Sequence, residues 1–439
     1  AACATAVAAL ALARLAIRVS DGDERVGFFT AATFALIPLY HFAAQFMTID
    51  APYVMCWILA AATAWHTANR ARGGRSSLAG WLGLGFFLGV GFLFKYTILL
   101  LLPGLILYAI LDRRHLPRDR WSPWRFLSGL VVFVMVISPV LIWNHHHGWP
   151  TVSHLLGNLN AQGGDMPVRP HWSYKPRWTL EFLVSQVLIL GLFGFLLLVL
   201  ALSRPRQSGN QYYRSCRCFL LSSAAPILLF YLLISFRSDV EANWTLAGYS
   251  TLVILIGQAA VYYLPRTRAA GMPLRVGALF RIAWYGLVIL LALGVLLTLM
   301  PPALFRSISF RGQSIPLHRV MGNRELAGKV DAELAALERA TGRRPFVVAD
   351  SYGKAALLAY YLPGHPAVCS ATSYFGGRKS SYDYFPDTSL GNPDLLGRPA
   401  VLYGSQREIW QTRFVFDWVQ PSADGTRRLF RAAGYRGPI

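Results

Sequence analysis

Ten apolar stretches lie between the N-terminus and Met300, near residues 3–18, 26–46, 51–68, 78–94, 97–111, 126–143, 179–202, 219–235, 245–263 and 277–300. A helix needs about 20 apolar residues to cross the hydrocarbon core of a bilayer, within a range of about 17–25. The stretches at 179–202 and 277–300 meet that length clearly. The earlier ones are shorter and rich in alanine, and the first carries Arg14 in its interior. This pattern predicts an α-helical polytopic membrane protein. Composition agrees, with 54% hydrophobic and only 14% charged residues, against about 25% charged in a typical soluble chain.

Charge then tests how the spans are threaded. The chain has 42 Lys+Arg against 21 Asp+Glu, a formal charge of +21. In a soluble domain that balance would suggest nucleic acid. If the spans alternate, one set of loops holds seventeen basic residues: Arg18, Arg25, Arg70, Arg72, Arg75, Arg113, Arg114, Arg118, Arg120, Arg125, Arg204, Arg206, Arg214, Arg217, Arg266, Arg268 and Arg275. The other set holds five: Lys95, Arg169, Lys175, Arg177 and Arg237. Such a bias places the first set in the cytoplasm. The charge is then mostly a topology signal in a cytoplasmic (inner) membrane protein, and no nucleic-acid partner is expected.

The composition changes after the double proline Pro301-Pro302, so the expected division is a transmembrane domain, 1–300, and a second domain, 301–439. The second carries 18 Lys+Arg and 11 Asp+Glu and no candidate span; parity places it outside the cytoplasm. Asn323–Thr341 is amphipathic at helical spacing. A strand at 345–350, a helix at 354–361 and apolar runs at 400–403 and 414–419 complete a small α/β pattern. The five cysteines, Cys3, Cys56, Cys216, Cys218 and Cys369, leave only one thiol in that domain and hence no disulfide within it. Cys216-Arg217-Cys218 lacks a second ligand pair for zinc. No resident metal or cofactor is implied.

The informative polar residues stand at the outer ends of the spans. Asp50 lies in a very tight connection, Met47-Thr48-Ile49-Asp50-Ala51-Pro52. It reads either as an N-cap before a helix that begins Ala-Pro or as a carboxylate facing a bound substrate. Lys95-Tyr96 separates two spans; Lys95 is either a snorkelling lysine beside an interfacial tyrosine or a cation for a lipid phosphate. The longest outer loop opens Trp143-Asn144-His145-His146-His147-Gly148-Trp149-Pro150, which suits sugar binding and a headgroup-level aromatic belt equally. Three adjacent histidines cannot all point one way on a regular element, so a three-ligand metal site from them alone is not expected. Arg237-Ser238-Asp239-Val240-Glu241-Ala242-Asn243-Trp244 is polar enough for a binding loop or a solvated turn. No Walker loop, dinucleotide fingerprint, HExxH or GxSxG occurs, which argues against an ATP-driven pump or a zinc protease. Three classes remain: a lipid-using transferase, a secondary transporter and a non-catalytic membrane assembly protein.

The order of these motifs resembles bacterial members of glycosyltransferase family 39. Met47-Thr48-Ile49-Asp50-Ala51-Pro52 is followed by Phe94-Lys95-Tyr96-Thr97, by Ser138-Pro139-Val140-Leu141-Ile142-Trp143-Asn144 with Gly148-Trp149, and by Val240-Glu241-Ala242-Asn243-Trp244. Val347-Val348-Ala349-Asp350 and Arg378-Lys379-Ser380-Ser381-Tyr382-Asp383 in the C-terminal domain are similar to stretches of the same proteins. The family includes dolichyl-phosphate-mannose–protein mannosyltransferases, and its bacterial members are related to the aminoarabinose transferases of lipid A. The resemblance implies a GT-C-type fold and transfer of a sugar from a polyprenyl-phosphate donor to a lipid, glycan or protein acceptor at the outer membrane face. It implies an assisting catalytic role for Asp50. Lys95, Tyr96 and Arg237 become candidates for the donor phosphate, and Asn144, His145, His146, Trp149, Glu241, Asn243 and Trp244 for sugar or acceptor contacts. The family's first span and its first outer loop, with the main catalytic Asp, would precede Ala1, so an N-terminally incomplete chain is expected.

Overall fold

The computed structural model describes residues 1–46, 48–73, 77–113, 123–158, 161–165, 174–203, 211–265, 274–299, 309–310, 313–314, 322–423 and 425–439. Met47, the basic residues Arg75, Arg114, Arg118, Arg120, Arg169, Arg204, Arg206, Arg266 and Arg268, and Pro301-Pro302 lie outside them. The chain divides into two compact units, Ala1–Leu299 and Met300–Ile439.

The first unit is helical throughout. Its helices are α1 (Ala2–Val19), α2 (Glu24–Leu36), α3 (Pro38–Gln45), α4 (Asp50–Arg72), α5 (Leu78–Phe94), α6 (Leu101–Leu111), α7 (Pro123–His146), α8 (Pro150–Asn158), α9 (Pro176–Leu202), α10 (Gln211–Ile234), α11 (Leu246–Tyr263) and α12 (Leu274–Leu299). Two of them are entered through 3₁₀ turns, Tyr96–Leu100 before α6 and Ala242–Thr245 before α11. Among the described residues, six helices are long and apolar enough to cross a membrane, or seven if a bent pair counts as one span; Leu78–Phe94 and Tyr96–Leu111 are shorter apolar helices. The protein is a multi-pass membrane protein of helical class with a small C-terminal α/β unit.

Each apolar stretch forms helix, but not always as one rod. The 26–46 stretch breaks at Ile37-Pro38, where α2 and α3 meet at 69°. Proline has no N–H for the helical ladder, and its ring opposes a straight continuation. In α9 the break is Gly191, at φ 69°, a left-handed conformation that glycine adopts without steric cost.

Burial sorts the helices by environment. Every residue of α11 except Val261 and Tyr262 is buried, which marks it as the centre of the bundle. In α7 only Gly129, Ile137 and Asn144 are buried, while Leu130, Val131, Val134 and Met135 are exposed. That outward apolar face matches hydrocarbon. It packs against α5 through backbone: a Cβ on Gly129 would overlap the Trp81 carbonyl, so the two helices approach as closely as small residues allow.

The second unit has a two-residue ladder, β1 (Ser309–Phe310) with β2 (Gln313–Ser314), and a five-stranded sheet. The sheet runs β4 (Val368–Ser370), β3 (Phe346–Ala349), β5 (Ala400–Tyr403), β8 (Leu429–Ala433), β7 (Trp418–Pro421). The first three strands are parallel, and β8 pairs antiparallel with β5 and β7. Side chains alternate along β3. Phe346 and Val348 enter one core with Trp410 and Leu402; Val347 and Ala349 enter another with Val330 and Leu358. The expected helix Asn323–Thr341 forms as α13, and the next, α14, begins at Tyr352 and ends at Tyr361. The 414–419 run is not one strand. Phe414–Val415 forms β6, paired with β9 (Gly437–Pro438), and the chain re-enters the large sheet only at Trp418.

Candidate active site

Asp50 is the first residue of α4, and the cap position belongs to Ile49, which makes no side-chain cap bond. The N-cap reading of Asp50 therefore fails, because its carboxylate is committed elsewhere. Lys95 Nζ lies 2.5 Å from Oδ1, and the Asn243 carboxamide donates to Oδ2 at 2.8 Å. Three segments thus converge: the start of α4, the break between α5 and its following 3₁₀ turn, and the 3₁₀ turn before α11. Lys95 is not a lysine extended into water; its side chain is 16% exposed and that of Asp50 10%.

The local backbone explains why these groups reach one another. Lys95 is extended (φ −149°, ψ 127°), which ends α5 at Phe94. Asn243 sits in the tighter 3₁₀ turn, a geometry frequent at helix ends and in mid-span breaks. Tyr53, one turn beyond Asp50, places its ring 5.5 Å from Lys95 Nζ and its hydroxyl 3.1 Å from Thr97 Oγ1. Trp244 packs at 5.4 Å against Tyr231 of α10. Tyr53, Thr97 and Tyr231 escaped the sequence reading, although Tyr53 stands three residues after Asp50 and Thr97 two after Lys95.

The other candidates fall into three places. Tyr96, the first residue of the 3₁₀ turn, meets Phe92 at a tilt, with ring centroids 4.4 Å apart. Arg237 and Glu241 are exposed in the turn between α10 and α11. Asn144 is buried and engaged with backbone: it donates to the Val140 carbonyl at 2.9 Å and accepts the Thr151 N–H at 3.1 Å, which ties the end of α7 to the start of α8. His145 and His146 are exposed and 5.6 Å apart edge to face, whereas His147 stacks on Trp143 at 4.3 Å. Trp149 is exposed at φ 59°, following Gly148 at φ 72°. Among the described residues, no group of three or more His, Cys, Asp or Glu is placed to hold a metal ion.

An open apolar groove of about 710 Å³ lies along α6, lined by Ala64, Thr67, Leu84, Leu88, Leu99 and Phe133 among others and by none of Asp50, Lys95 and Asn243. Leu99 belongs to the 3₁₀ turn that begins one residue after Lys95. Tyr108 and Arg113 line the same groove, so it follows α6 over its whole length.

Residues 1–143, which include Asp50 and Lys95, match the family model described as dolichyl-phosphate-mannose-protein mannosyltransferase. The similarity to that family model is confined to these residues. It is 25% identical over 219 residues to the lipopolysaccharide core galacturonosyltransferase RgtA of Rhizobium johnstonii, covering 46% of this chain and 38% of that protein. It is 27% identical over 254 residues to the lipid A galacturonosyltransferase RgtD of the same organism, covering 56% and 48%. The chain thus spans about half, or less, of the curated relatives it matches. The fold is similar to that of ArnT from Cupriavidus metallidurans, in the apo state (TM-score 0.54) and bound to undecaprenyl phosphate (TM-score 0.53). Each match has 16% identity and covers 98% of this chain and 83% of the other.

Proposed function

We propose that the protein is a membrane glycosyltransferase, moving a sugar from a polyprenyl-phosphate donor to a lipid, glycan or protein acceptor. The observation that carries this reading is the partly buried Asp50–Lys95–Asn243 cluster at the meeting of two 3₁₀ turns. It joins one carboxylate, one cation and one amide, the set a transfer from phosphate needs. A donor phosphate would draw Lys95 away from Asp50 and use it to neutralise the leaving charge. The freed carboxylate would then assist in taking the proton of the acceptor hydroxyl as that oxygen bonds to the sugar and the sugar–phosphate bond breaks. Asn243 holds Asp50 in place throughout. Tyr96 and the exposed Arg237 stand as further phosphate contacts. Trp149, Trp244, Asn144, His145, His146 and Glu241 are proposed contacts for sugar or acceptor.

The groove supports the choice of donor. It is apolar and runs along α6 as far as Leu99, four residues after Lys95, so an apolar lipid tail lying in it would reach towards the 3₁₀ turn that follows Lys95. The relatives support the acceptor: two of them are named for the lipopolysaccharide core and for lipid A. The seventeen-to-five distribution of basic residues supports a cytoplasmic membrane location, with the Asp50 end of α4 and residues 301–439 on the extracytoplasmic side. No metal or cofactor takes part in this reading.

The test is release of polyprenyl phosphate from a labelled polyprenyl-phosphate sugar by purified protein in detergent. Acceptor-dependent release is expected. Substrate-dependent flux in proteoliposomes without release would replace the transferase by a transporter.

A further inference from the structure

The carboxyl ends of the parallel strands in the second unit gather polar groups that neither core uses. After β3 the chain passes through α14 to β4 on one side, and from β4 it crosses to β5 on the other. Connections that leave neighbouring strands in opposite directions open a crevice at their carboxyl ends, the usual ligand position in such sheets. Asp350 follows β3, Ser370 and Thr372 close β4, and Tyr403 ends β5.

The groups there are specific. Lys354 Nζ lies 3.0 Å from both Asp350 carboxylate oxygens and donates to Oδ2. The Lys354 ammonium also stands 5.5 Å over the Tyr403 ring. Tyr352, 44% exposed, has the Arg378 guanidinium 6.0 Å over its face. Its backbone N–H donates to Thr372 Oγ1 at 2.9 Å, and Thr372 meets Ser370 Oγ at 2.8 Å. Arg428, held at φ 64°, lies on the same rim, where its carbonyl accepts the Gly404 N–H at 3.0 Å.

Stability does not account for this assembly. Tyr352, Lys354, Arg378 and Arg428 belong to neither hydrophobic core, and exposed ion pairs stabilise a fold little. Tyrosine faces suit the C–H face of a pyranose ring, and the cations suit an acidic group. The geometry points to a binding site for an acidic saccharide, held by Tyr352 and Arg378 against the Asp350–Lys354 pair. It is made of none of the residues of the Asp50 cluster and does not depend on the transferase reading.

The full chain in detergent is titrated with galacturonic acid, galactose and inorganic phosphate, with binding read by saturation-transfer NMR. Saturable binding of galacturonic acid is expected, at least about fivefold tighter than either other probe. Tyr352→Ala and Arg378→Ala should each weaken it by about fivefold or more, the scale of one cation–π or charge-assisted contact. Tyr352→Phe should keep it, and so should Asp50→Asn. Equal binding of galactose, equal binding of phosphate, unchanged binding in both alanine variants, or loss of binding in Asp50→Asn would each overturn the assignment. Both substituted positions lie outside the cores, and an unchanged melting temperature confirms that the variants are folded.

Discussion

Helix α4 carries an ionic cluster at each end, roughly 33 Å apart by the rise of its 23 residues, and the two are built differently. At the far end Arg72 pairs with Asp112 and bonds Ser215 and Tyr108 (2.5 Å for the last), with its guanidinium 5.1 Å from the Trp65 ring. All its partners stand on or at the ends of regular helices, and Ser215 itself donates to Asp112. At the near end Asp50 meets Lys95 and Asn243, both held by backbone that departs from the α-helix. The two ion pairs are buried alike, with side chains 15% and 7% exposed at the far end and 16% and 10% at the near end. The backbone that carries them makes the difference: a pair enclosed by regular helices has one arrangement and acts as a clamp. A pair carried on helix breaks can exchange partners, which chemistry on a charged substrate requires. The contrast assigns stability to one end of α4 and, in the proposed function, transfer to the other.

The largest expected effect breaks the clamp. Arg72→Met leaves the Asp112 carboxylate buried without its cation, which costs about 3–5 kcal/mol and should lower the melting temperature in detergent markedly. Adding Asp112→Leu should restore most of the loss. A single variant as stable as the parent would end the clamp reading. Next comes Gly129→Leu, which forces α5 and α7 apart and should cost about 1–3 kcal/mol without altering the Michaelis constant for the donor. A changed constant would show that the helix pair shapes the site.

A smaller change tests the near end. Lys95→Gln removes the cation but keeps a donor for Asp50, and donor kcat/KM should fall about tenfold, near 1.4 kcal/mol, with little change in melting temperature. A stability loss as large as that of Arg72→Met would make the two ends equivalent. The smallest effect is a control in the second unit. Burial pushes the Cys369 thiol up to about 12. The folded thiol keeps its proton while an unfolded one would lose it, so its contribution to stability is complete below the ordinary thiol value and fades as pH rises towards 12. At pH 8 Cys369 should resist iodoacetamide while the exposed Cys3 reacts. Equal labelling would place Cys369 at the surface.

What was legible in the sequence was what is local. Apolar runs announced every helix of the first unit except the short α8, because lipid contact demands a continuous apolar surface. Asn323–Thr341 was readable from spacing alone. The bend at Pro38 carried a signal in its proline, but the 3₁₀ entries at Tyr96 and Ala242 carried none. The site was harder for the same reason. Asp50 finds its partners 45 and 193 residues away, so its neighbours on the chain suggested an N-cap. Arg72 was counted among loop charges setting orientation, and the fold draws it into a partly buried ion pair with Asp112. The backbone bonds of Asn144, to Val140 and from Thr151, and of His147, to Trp143, carried no signal in the sequence either.

The division between the two ends of α4 is tested most directly by one paired measurement: polyprenyl-phosphate release per folded molecule in Asp50→Asn and in Arg72→Met, with the melting temperature of each. Asp50→Asn should lose roughly tenfold or more in turnover, the low end of general-base effects, and stay folded to nearly the parental temperature. Arg72→Met should melt earlier and retain its turnover where it is still folded. Unchanged release in Asp50→Asn, or loss of release in folded Arg72→Met, would contradict the assignment.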